Sequence, residues 1–167
     1  MSTDTILLAE DDPNDVILFQ RAMEMASLSA DSLTVVRDGE KVISYLSGQG
    51  IYANRDLYPL PALLLLDLKM PRKSGLEVLS WLRKQPQLRY LIVVFLTSSN
   101  RSEDVRLAYD AGANSYLVKP VEFIEMVEMI RNVSLYWLEM NEKLPLSGAS
   151  ASSGGGSKSN GFSKDAS

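Results

Sequence analysis

The sequence predicts a doubly wound α/β fold built on a five-stranded parallel sheet. Five short apolar segments lack the apolar–polar alternation of half-exposed strands, which indicates strands buried on both faces. Each is followed by a segment with apolar residues at helical spacing. The predicted strands are residues 5–9, 33–36, 62–66, 90–96 and 115–118. Strands that alternate with helices form parallel sheets, and we expect the strand order 2-1-3-4-5.

Length and composition limit the classes of function. The chain has 167 residues, 46% hydrophobic and 23% charged, which is typical of a single globular domain. We assign residues 1–146 to that domain and predict a disordered Ser/Gly-rich tail over residues 147–167. A net charge of −4 argues against nucleic-acid binding, and no apolar run is long enough to span a membrane. Without cysteine, histidine or a signal peptide, we expect a cytoplasmic protein that works through oxygen ligands and lysine.

The first two strands each lead into a helix with its own start signal. Asp12 precedes Pro13, a pair typical of an N-cap and the first helical residue. We interpret Asp12 as a cap rather than a metal ligand, and Asp38 after the second strand as a turn residue. Gly48 is placed to end the second helix. Residues 49–61 then form an unusually long connection, of a kind that is often functional or mobile.

The third strand carries the residue around which the chemistry is organised. Four leucines at 63–66 end at Asp67, and ligands of open α/β sheets bind outside the carboxyl ends of the strands. After Pro71, Ser74 and Glu77 form a capping-box pattern that starts the next helix. An aspartate after a strand can also serve only to cap a turn, so this stretch alone leaves both interpretations open.

Polar residues also follow the fourth and fifth strands. The fourth strand ends at Thr97, and the fifth ends at Lys119. Asn100, with a glutamate three residues later, predicts the start of the helix between them, and Gly112 predicts its end. A lone threonine or lysine at a strand end is usually structural. Their joint occurrence at the ends of neighbouring strands is what indicates a functional site.

The last helix is predicted to begin near Val121 and to extend to about Lys143. The core of the domain is expected to take a stripe of four residues, Phe123, Val127, Ile130 and Val133. The extension then carries more apolar surface than one buried face requires, contributed above all by Leu135, Tyr136, Trp137 and Leu138. Two interpretations stay open: the extension packs back on its own domain, or it joins two copies in a homodimer.

The predicted strand order brings the polar strand ends together. The topological switch point lies between strands 1 and 3, so Glu10 and Asp11 are expected to meet Asp67 there. Three carboxylates pack together only if a cation offsets their repulsion, and without His or Cys a hard ion, Mg²⁺ or Mn²⁺, is expected. Asp67 could then act as a nucleophile towards phosphorus, with the Thr97 hydroxyl and the Lys119 ammonium stabilising the transferred group.

Four motifs, in order and in spacing, resemble those of response-regulator receiver domains. They are ILLAEDD at 6–12, LDLKMP at 66–71 with Gly75, LTS at 96–98 and YLVKP at 116–120. The resemblance covers residues 5 to about 130 and implies a flavodoxin-like receiver fold, here with an extended C-terminal helix. Within the family, the chain is most similar to single-domain regulators paired with phytochrome-type histidine kinases. That narrower similarity rests on RDG at 37–39, the 49–61 connection, YWLE at 136–139 and LP at 144–145.

The resemblance implies a phosphorylation switch rather than an enzyme with a separate substrate. Asp67 would accept a phosphoryl group from a phosphohistidine of a sensor kinase and would assist its own phosphorylation and dephosphorylation. Glu10 and Asp11 would hold Mg²⁺ with Asp67, and the backbone carbonyl of Lys69 would complete the protein ligands. No DNA-binding output domain is expected, so a downstream protein would read the phosphorylated surface.

The resemblance also assigns roles to residues around the phosphoacceptor. Lys119 and Thr97 would bind the phosphoryl oxygens, and Thr97 would couple with Tyr116 to switch the face formed by the fourth and fifth strands. We add the hypothesis that Lys69 screens the phosphoaspartate from water and lengthens its lifetime, with Ser99 as a second such position.

Other functions fit the sequence less well than the receiver interpretation. An Mg²⁺-dependent phosphohydrolase with an aspartyl nucleophile would place an Asp-x-Asp motif after the first strand, whereas Asp67 follows the third and lacks the second acid. A flavin-binding module is disfavoured because the acidic first loop would repel a phosphate. A phosphate-relay receiver or an unphosphorylated scaffold stays open.

Overall fold

A five-stranded parallel sheet lies at the centre of the protein. In the computed structural model, which describes residues 4–146, the strands are β1 (Ile6–Ala9), β2 (Leu33–Val36), β3 (Leu63–Leu66), β4 (Ile92–Thr97) and β5 (Ser115–Val118). Their order is β2-β1-β3-β4-β5, and every neighbouring pair is parallel, so the predicted order is confirmed. The tail predicted over residues 147–167 lies outside the described residues.

Helices cover both faces of the sheet. They are α1 (Pro13–Met25), α2 (Gly39–Ser47), α3 (Gly75–Arg83), α4 (Ser102–Asp110) and α5 (Phe123–Ser134). One apolar cluster joins the sheet to α2, α3 and α4, and a second joins its other face to α1 and α5. The strand side chains alternate between the two clusters; those of β1, β3 and nearly all of β4 are buried, whereas those of the edge strands β2 and β5 are mostly half-buried. The burial of the central strands on both faces explains their unbroken apolar runs.

Three helices, α1, α2 and α3, are capped by side chains at the places where the sequence predicts that a helix begins. The Asp12 carboxylate accepts from the Asn14 N–H, with Pro13 as the first helical residue. Asp38, expected to be a turn residue, caps α2 by accepting from the Lys41 N–H. The capping box of α3 is present, and Gly48 ends α2 in the left-handed conformation with φ 66°.

Four sequence predictions about element ends are wrong. Asn100 does not cap α4, because the helix begins at Ser102 after Arg101, and no side chain bonds to its first turn from the cap position. The fourth strand begins at Ile92 rather than at residue 90, since Tyr90 belongs to an exposed turn. Strands 1 and 3 are likewise each one residue shorter at their start than predicted.

The last helix also differs from its prediction. It is α-helical to Ser134, continues as a π-helix over Leu135–Met140 and stops there, short of Lys143. The chain leaves the helix at Asn141, whose backbone is extended (φ −74°, ψ 130°), and the ammonium of Lys143 then binds the Leu138 carbonyl at 2.9 Å and the carboxylate of Asp4. Of the predicted core stripe, Val127 and Ile130 are buried and Val133 is half-buried, whereas Phe123 is exposed.

The long connection at 49–61 is tied to the domain by one guanidinium. Arg55 donates to the carbonyls of Tyr45 and Leu46 in α2 at 2.8 and 2.9 Å, and to that of Tyr58 at 3.2 Å. The rings of Tyr45, Tyr52 and Tyr58 contact one another with centroid distances of 5.0 to 6.1 Å. The connection is therefore built onto α2 by specific contacts. Among residues 4–146, no helix has the length and apolar character needed to cross a membrane.

Candidate functional site

Four strand ends bring polar side chains to one edge of the sheet. Because Ala9 pairs with Leu66 across β1 and β3, the residues that follow them, Glu10 and Asp67, lie side by side. Thr97 ends β4 and is buried, and Lys119 directly follows β5. The parallel register thus places these side chains at one sheet edge, as the sequence predicts.

Three carboxylates meet at the switch point between β1 and β3. Oxygen atoms from Glu10, Asp11 and Asp67 all lie within 4.8 Å of one another. Glu10 and Asp67 are buried, while Asp11 is exposed. An all-oxygen donor set of this kind suits a hard divalent cation and leaves coordination positions for water or phosphate oxygens. The Lys69 N–H lies 3.4 Å from Asp67 Oδ1, whereas its carbonyl remains a predicted ligand.

Within residues 4–146, the ammonium of Lys119 is bound by carboxylates alone. Its Nζ lies 2.6 Å from Glu10 Oε2, 2.8 Å from Asp15 Oδ2 and 3.1 Å from Asp67 Oδ2. Burial alone would lower the pKa of Lys119, but the hydrogen bonds to Asp15 and Glu10 and the charge of Asp67 raise the pKa above its usual range. Lys119 is therefore a fixed positive charge at neutral pH.

The pKa of Glu10 is perturbed in the same cluster. Burial raises the pKa of its carboxyl from 4.5 to about 7, against the hydrogen bond from Lys119, which lowers it. The repulsion from Asp67 acts in the same direction as burial. Glu10 therefore takes up a proton more readily than an ordinary glutamate, and a cation bound at this site competes with that proton.

Asp15 is a member of the cluster that the sequence analysis missed. It lies in the first turn of α1, and its side chain is partly buried, with 34% exposure. The signal present in the sequence is its position, an acid in the first turn of the helix that follows β1. The residues that follow the strand ends do not by themselves show that this turn faces Lys119.

The predicted switch residues lie on the β4–β5 side of the site. Thr97 is 3% exposed, and Tyr116 is half-buried with its ring centroid 6.0 Å from that of Phe95. The Tyr116 hydroxyl donates to the Ser99 carbonyl at 2.9 Å. The Ser99 hydroxyl in turn donates to Asp104 in the first turn of α4, so it is engaged away from Asp67. Lys69 is exposed at the opening of the site.

The C-terminal extension divides into an inner and an outer surface. Trp137 and Leu138 are half-buried and pack against the cluster beneath α1 and α5. Leu135 and Tyr136 are 46% and 52% exposed. Packing back on the domain therefore accounts for Trp137 and Leu138 but leaves the other two apolar side chains uncovered within the described part of the chain.

Comparisons with known proteins agree with this geometry. The model of the response regulator receiver domain family matches residues 6–131. Response regulator Rcp1 of Synechocystis is 36% identical over 134 residues, which cover 80% of this chain and 88% of Rcp1. The crystal structure of response regulator RPA3017, described in red light signaling of R. palustris, is 37% identical with a TM-score of 0.80 and covers 84% of this chain and 98% of that one.

A further structure, the bacteriophytochrome response regulator RtBRR, is 44% identical with a TM-score of 0.67 and covers 85% of this chain and 84% of that one. The family model, the relatives and the strand-end residues agree on the same segment of the sequence. The chain belongs to the response regulator receiver domain family.

Proposed function

We propose that Asp67 accepts a phosphoryl group from the phosphohistidine of a sensor histidine kinase. The contact that carries the proposal is that of the Lys119 ammonium with the carboxylate of Asp67, at 3.1 Å. A buried carboxylate next to a fixed cation and open to one side is suited to attack phosphorus, because the developing charge is met by a group already in place.

The transfer is a single displacement at phosphorus. An Asp67 oxygen forms a P–O bond as the P–N bond to the donor imidazole breaks, and the bonding electron pair goes to the imidazole nitrogen. Lys119 then offers its N–H groups to the phosphoryl oxygens, and the Thr97 hydroxyl, at the end of the neighbouring strand, donates to a second one. Hydrolysis by water returns Asp67 to its carboxylate and releases phosphate.

The cation in this proposal is Mg²⁺, with Mn²⁺ as a substitute. Glu10, Asp11 and Asp67 would hold it, together with the carbonyl of Lys69, and the oxygens of the three carboxylates lie close enough to share one ion. When bound, it supplies positive charge that offsets the negative charge of the phosphoryl oxygens. One structural relative, response regulator Rcp1, is described in an Mn²⁺-bound form, which supports a divalent cation in this family.

The signal is proposed to leave the site through Thr97 and Tyr116. A phosphoryl group bound by Thr97 would draw the end of β4 and the following residues towards Asp67. The Tyr116 hydroxyl bonds to the carbonyl of Ser99, two residues after Thr97, so a displacement there changes the position available to the tyrosine ring. A partner that contacts the β4–β5 side could read this change.

The proposed kinase is of the phytochrome type. Among the similar structures, one is a phosphorylated cyanobacterial phytochrome response regulator, RcpA, and two are bacteriophytochrome response regulators, RtBRR and AtBRR. The match covers 99% of RcpA and 100% of AtBRR, which supports a regulator that acts through a downstream protein rather than through DNA. Since the donor phosphohistidine is formed from ATP, the proposal also places the chain in the cytoplasm.

Intact-protein mass after incubation with acetyl phosphate and Mg²⁺ tests the proposal. We expect a gain of one phosphoryl group, absent in Asp67→Asn and in a sample with the metal chelated. Phosphate release over many turnovers would favour the phosphohydrolase alternative. If the protein gains no phosphoryl group from acetyl phosphate or from any sensor kinase, phosphorylation is excluded and an unphosphorylated scaffold is the remaining function. Transfer from a purified bacteriophytochrome kinase, compared with a kinase of another sensor class, tests the narrower pairing.

The lifetime of the phosphoaspartate is proposed to depend on Lys69. Its exposed side chain stands two residues after Asp67, where it can restrict the approach of water. Lys69→Ala is expected to lose phosphate faster than the unmodified protein, whereas Lys73→Ala, an exposed lysine farther along the same loop, is the control. The hypothesis that Ser99 also lengthens this lifetime has less support, because the Ser99 hydroxyl donates to Asp104.

A homodimer through the extension is proposed for Leu135 and Tyr136, the two of the four predicted surface residues that are left exposed. Two such patches related by a two-fold axis could cover each other. Tyr136→Asp is expected to lower the mass measured by light scattering at high concentration. Tyr109→Asp in α4, where the tyrosine is 50% exposed, is the matched control. Equal masses for both variants and the unmodified protein would exclude this surface.

A further inference from the structure

We infer that Asp15 is a positioning residue for Lys119, and that it thereby sets the rate at which Asp67 is phosphorylated. This inference rests on the proposed function. Its basis is the Asp15 Oδ2–Lys119 Nζ contact at 2.8 Å, which is shorter than the 3.1 Å contact of the same ammonium with Asp67. Asp15 is absent from the group of acids that lie close enough to share a cation.

The geometry gives Asp15 a role that Glu10 and Asp67 do not have. A lysine ammonium has three N–H donors, and here one carboxylate is available to each of them. Glu10 and Asp67 are proposed to bind the cation, and Asp67 also changes when it is phosphorylated. Asp15 is the acceptor whose bond to Lys119 can persist through the whole cycle.

The position of Asp15 is fixed by the start of α1. Asp12 caps the helix and Pro13 is its first residue, so the backbone of Asp15 is set in the first turn. Its side chain reaches Lys119, which is 104 residues away in sequence and follows β5, a strand separated from β1 by β3 and β4. Without this contact the four-carbon stem of the lysine is held only by groups that the reaction itself occupies.

Asp15→Ala removes the acceptor, and Asp15→Asn keeps an oxygen acceptor without the charge. Asp12→Asn is the matched control, because it removes one charge from the same segment, preserves the cap and has no contact with Lys119. Phosphorylation by acetyl phosphate is followed by intact-protein mass at saturating Mg²⁺, so that a change in metal affinity does not enter the rate.

We expect Asp15→Ala to be phosphorylated about tenfold more slowly, which is the lower end of the effect of a hydrogen bond between charged groups. Asp15→Asn is expected to fall between Asp15→Ala and the unmodified protein, and Asp12→Asn within about twofold of the latter. The second readout is the NMR signal of the Lys119 ammonium, assigned by its loss in Lys119→Arg. It should be observable in the unmodified protein and in Asp12→Asn but broadened by exchange with water in Asp15→Ala.

The outcomes separate the inference from the function on which it rests. If Asp15→Ala reacts as fast as the unmodified protein, or keeps the ammonium signal, the inference is overturned and phosphorylation of Asp67 stands. A lower melting temperature with an unchanged rate would make Asp15 a structural residue only, which also overturns it. If the unmodified protein takes up no phosphoryl group from any donor, the proposed function falls and the inference with it.

Discussion

Gly75, the first residue of α3, packs against the backbone of Asp67, the proposed phosphoacceptor. A Cβ built on Gly75 would lie 2.3 Å from the Asp67 carbonyl oxygen, 2.8 Å from a ring carbon of Phe95 and 3.1 Å from the Leu68 Cα. We predict that Gly75→Ala destabilises the protein. Helix propensity alone predicts the opposite sign, because alanine is favoured over glycine in helices by about 0.5–1 kcal/mol.

The magnitude follows from how far the neighbours must move. An ordinary contact to a Cβ begins at 3.4 Å, so the Asp67 carbonyl and α3 must separate by roughly 1 Å. Two of the three close atoms belong to the backbone and the third to the buried ring of Phe95, so none of them yields easily. Overpacking costs about 1–3 kcal/mol, and at its upper end, less the helix gain, the net loss is about 2 kcal/mol.

Equilibrium unfolding in urea measures this loss. Gly50→Ala serves as the control, since a Cβ there meets nothing within 4 Å and only the φ of +59° opposes it, for about 1–2 kcal/mol. Because the displaced carbonyl belongs to Asp67, Gly75→Ala should also be phosphorylated more slowly, whereas Gly50→Ala should react normally. A Gly75→Ala protein as stable as the unmodified one would refute the steric argument.

Three further predictions concern the site and the long connection. Lys119→Met leaves three carboxylates without their shared cation, and we expect the metal-free protein to lose about 3 kcal/mol of stability in urea, partly restored by Mg²⁺. Because burial raises the pKa of Glu10 to about 7, its proton competes with a cation, and calorimetric affinity for Mn²⁺ should fall as the pH is lowered from about 8 to about 6; an affinity independent of pH would argue against Glu10 as a ligand. Arg55→Ala frees three backbone carbonyls and should cost about 2 kcal/mol in the same unfolding assay, with the phosphorylation rate unchanged.

The sequence predicts those parts of the site that depend on strand ends. Buried parallel strands have a distinct apolar pattern, and a parallel register carries the residue after each strand to the same edge, so Glu10, Asp67, Thr97 and Lys119 could be placed together without coordinates. Asp15 could not be placed in this way, because its approach to Lys119 depends on where the first turn of α1 points.

The errors in the predicted last helix concern features that lie outside local periodicity. The helix stops at Met140, where Asn141 takes an extended backbone, and Lys143 beyond it binds Asp4, which is 139 residues away in the sequence. Phe123 fits the helical spacing of the core stripe, yet it lies in the first turn of α5 and is 36% exposed. The local spacing of apolar residues does not predict which residue Lys143 binds or where α5 meets the sheet.

The link between Glu10 and Lys119 has a consequence for how the chain is synthesised. The two residues are 109 positions apart, and their strands β1 and β5 are separated in the sheet by β3 and β4. A nascent chain that has emerged only as far as β4 therefore contains Asp67, the proposed phosphoacceptor, but not Lys119. Under the proposed function such a fragment would lack the ammonium that meets the developing charge, so we expect it to accept phosphoryl groups poorly until β5 has emerged.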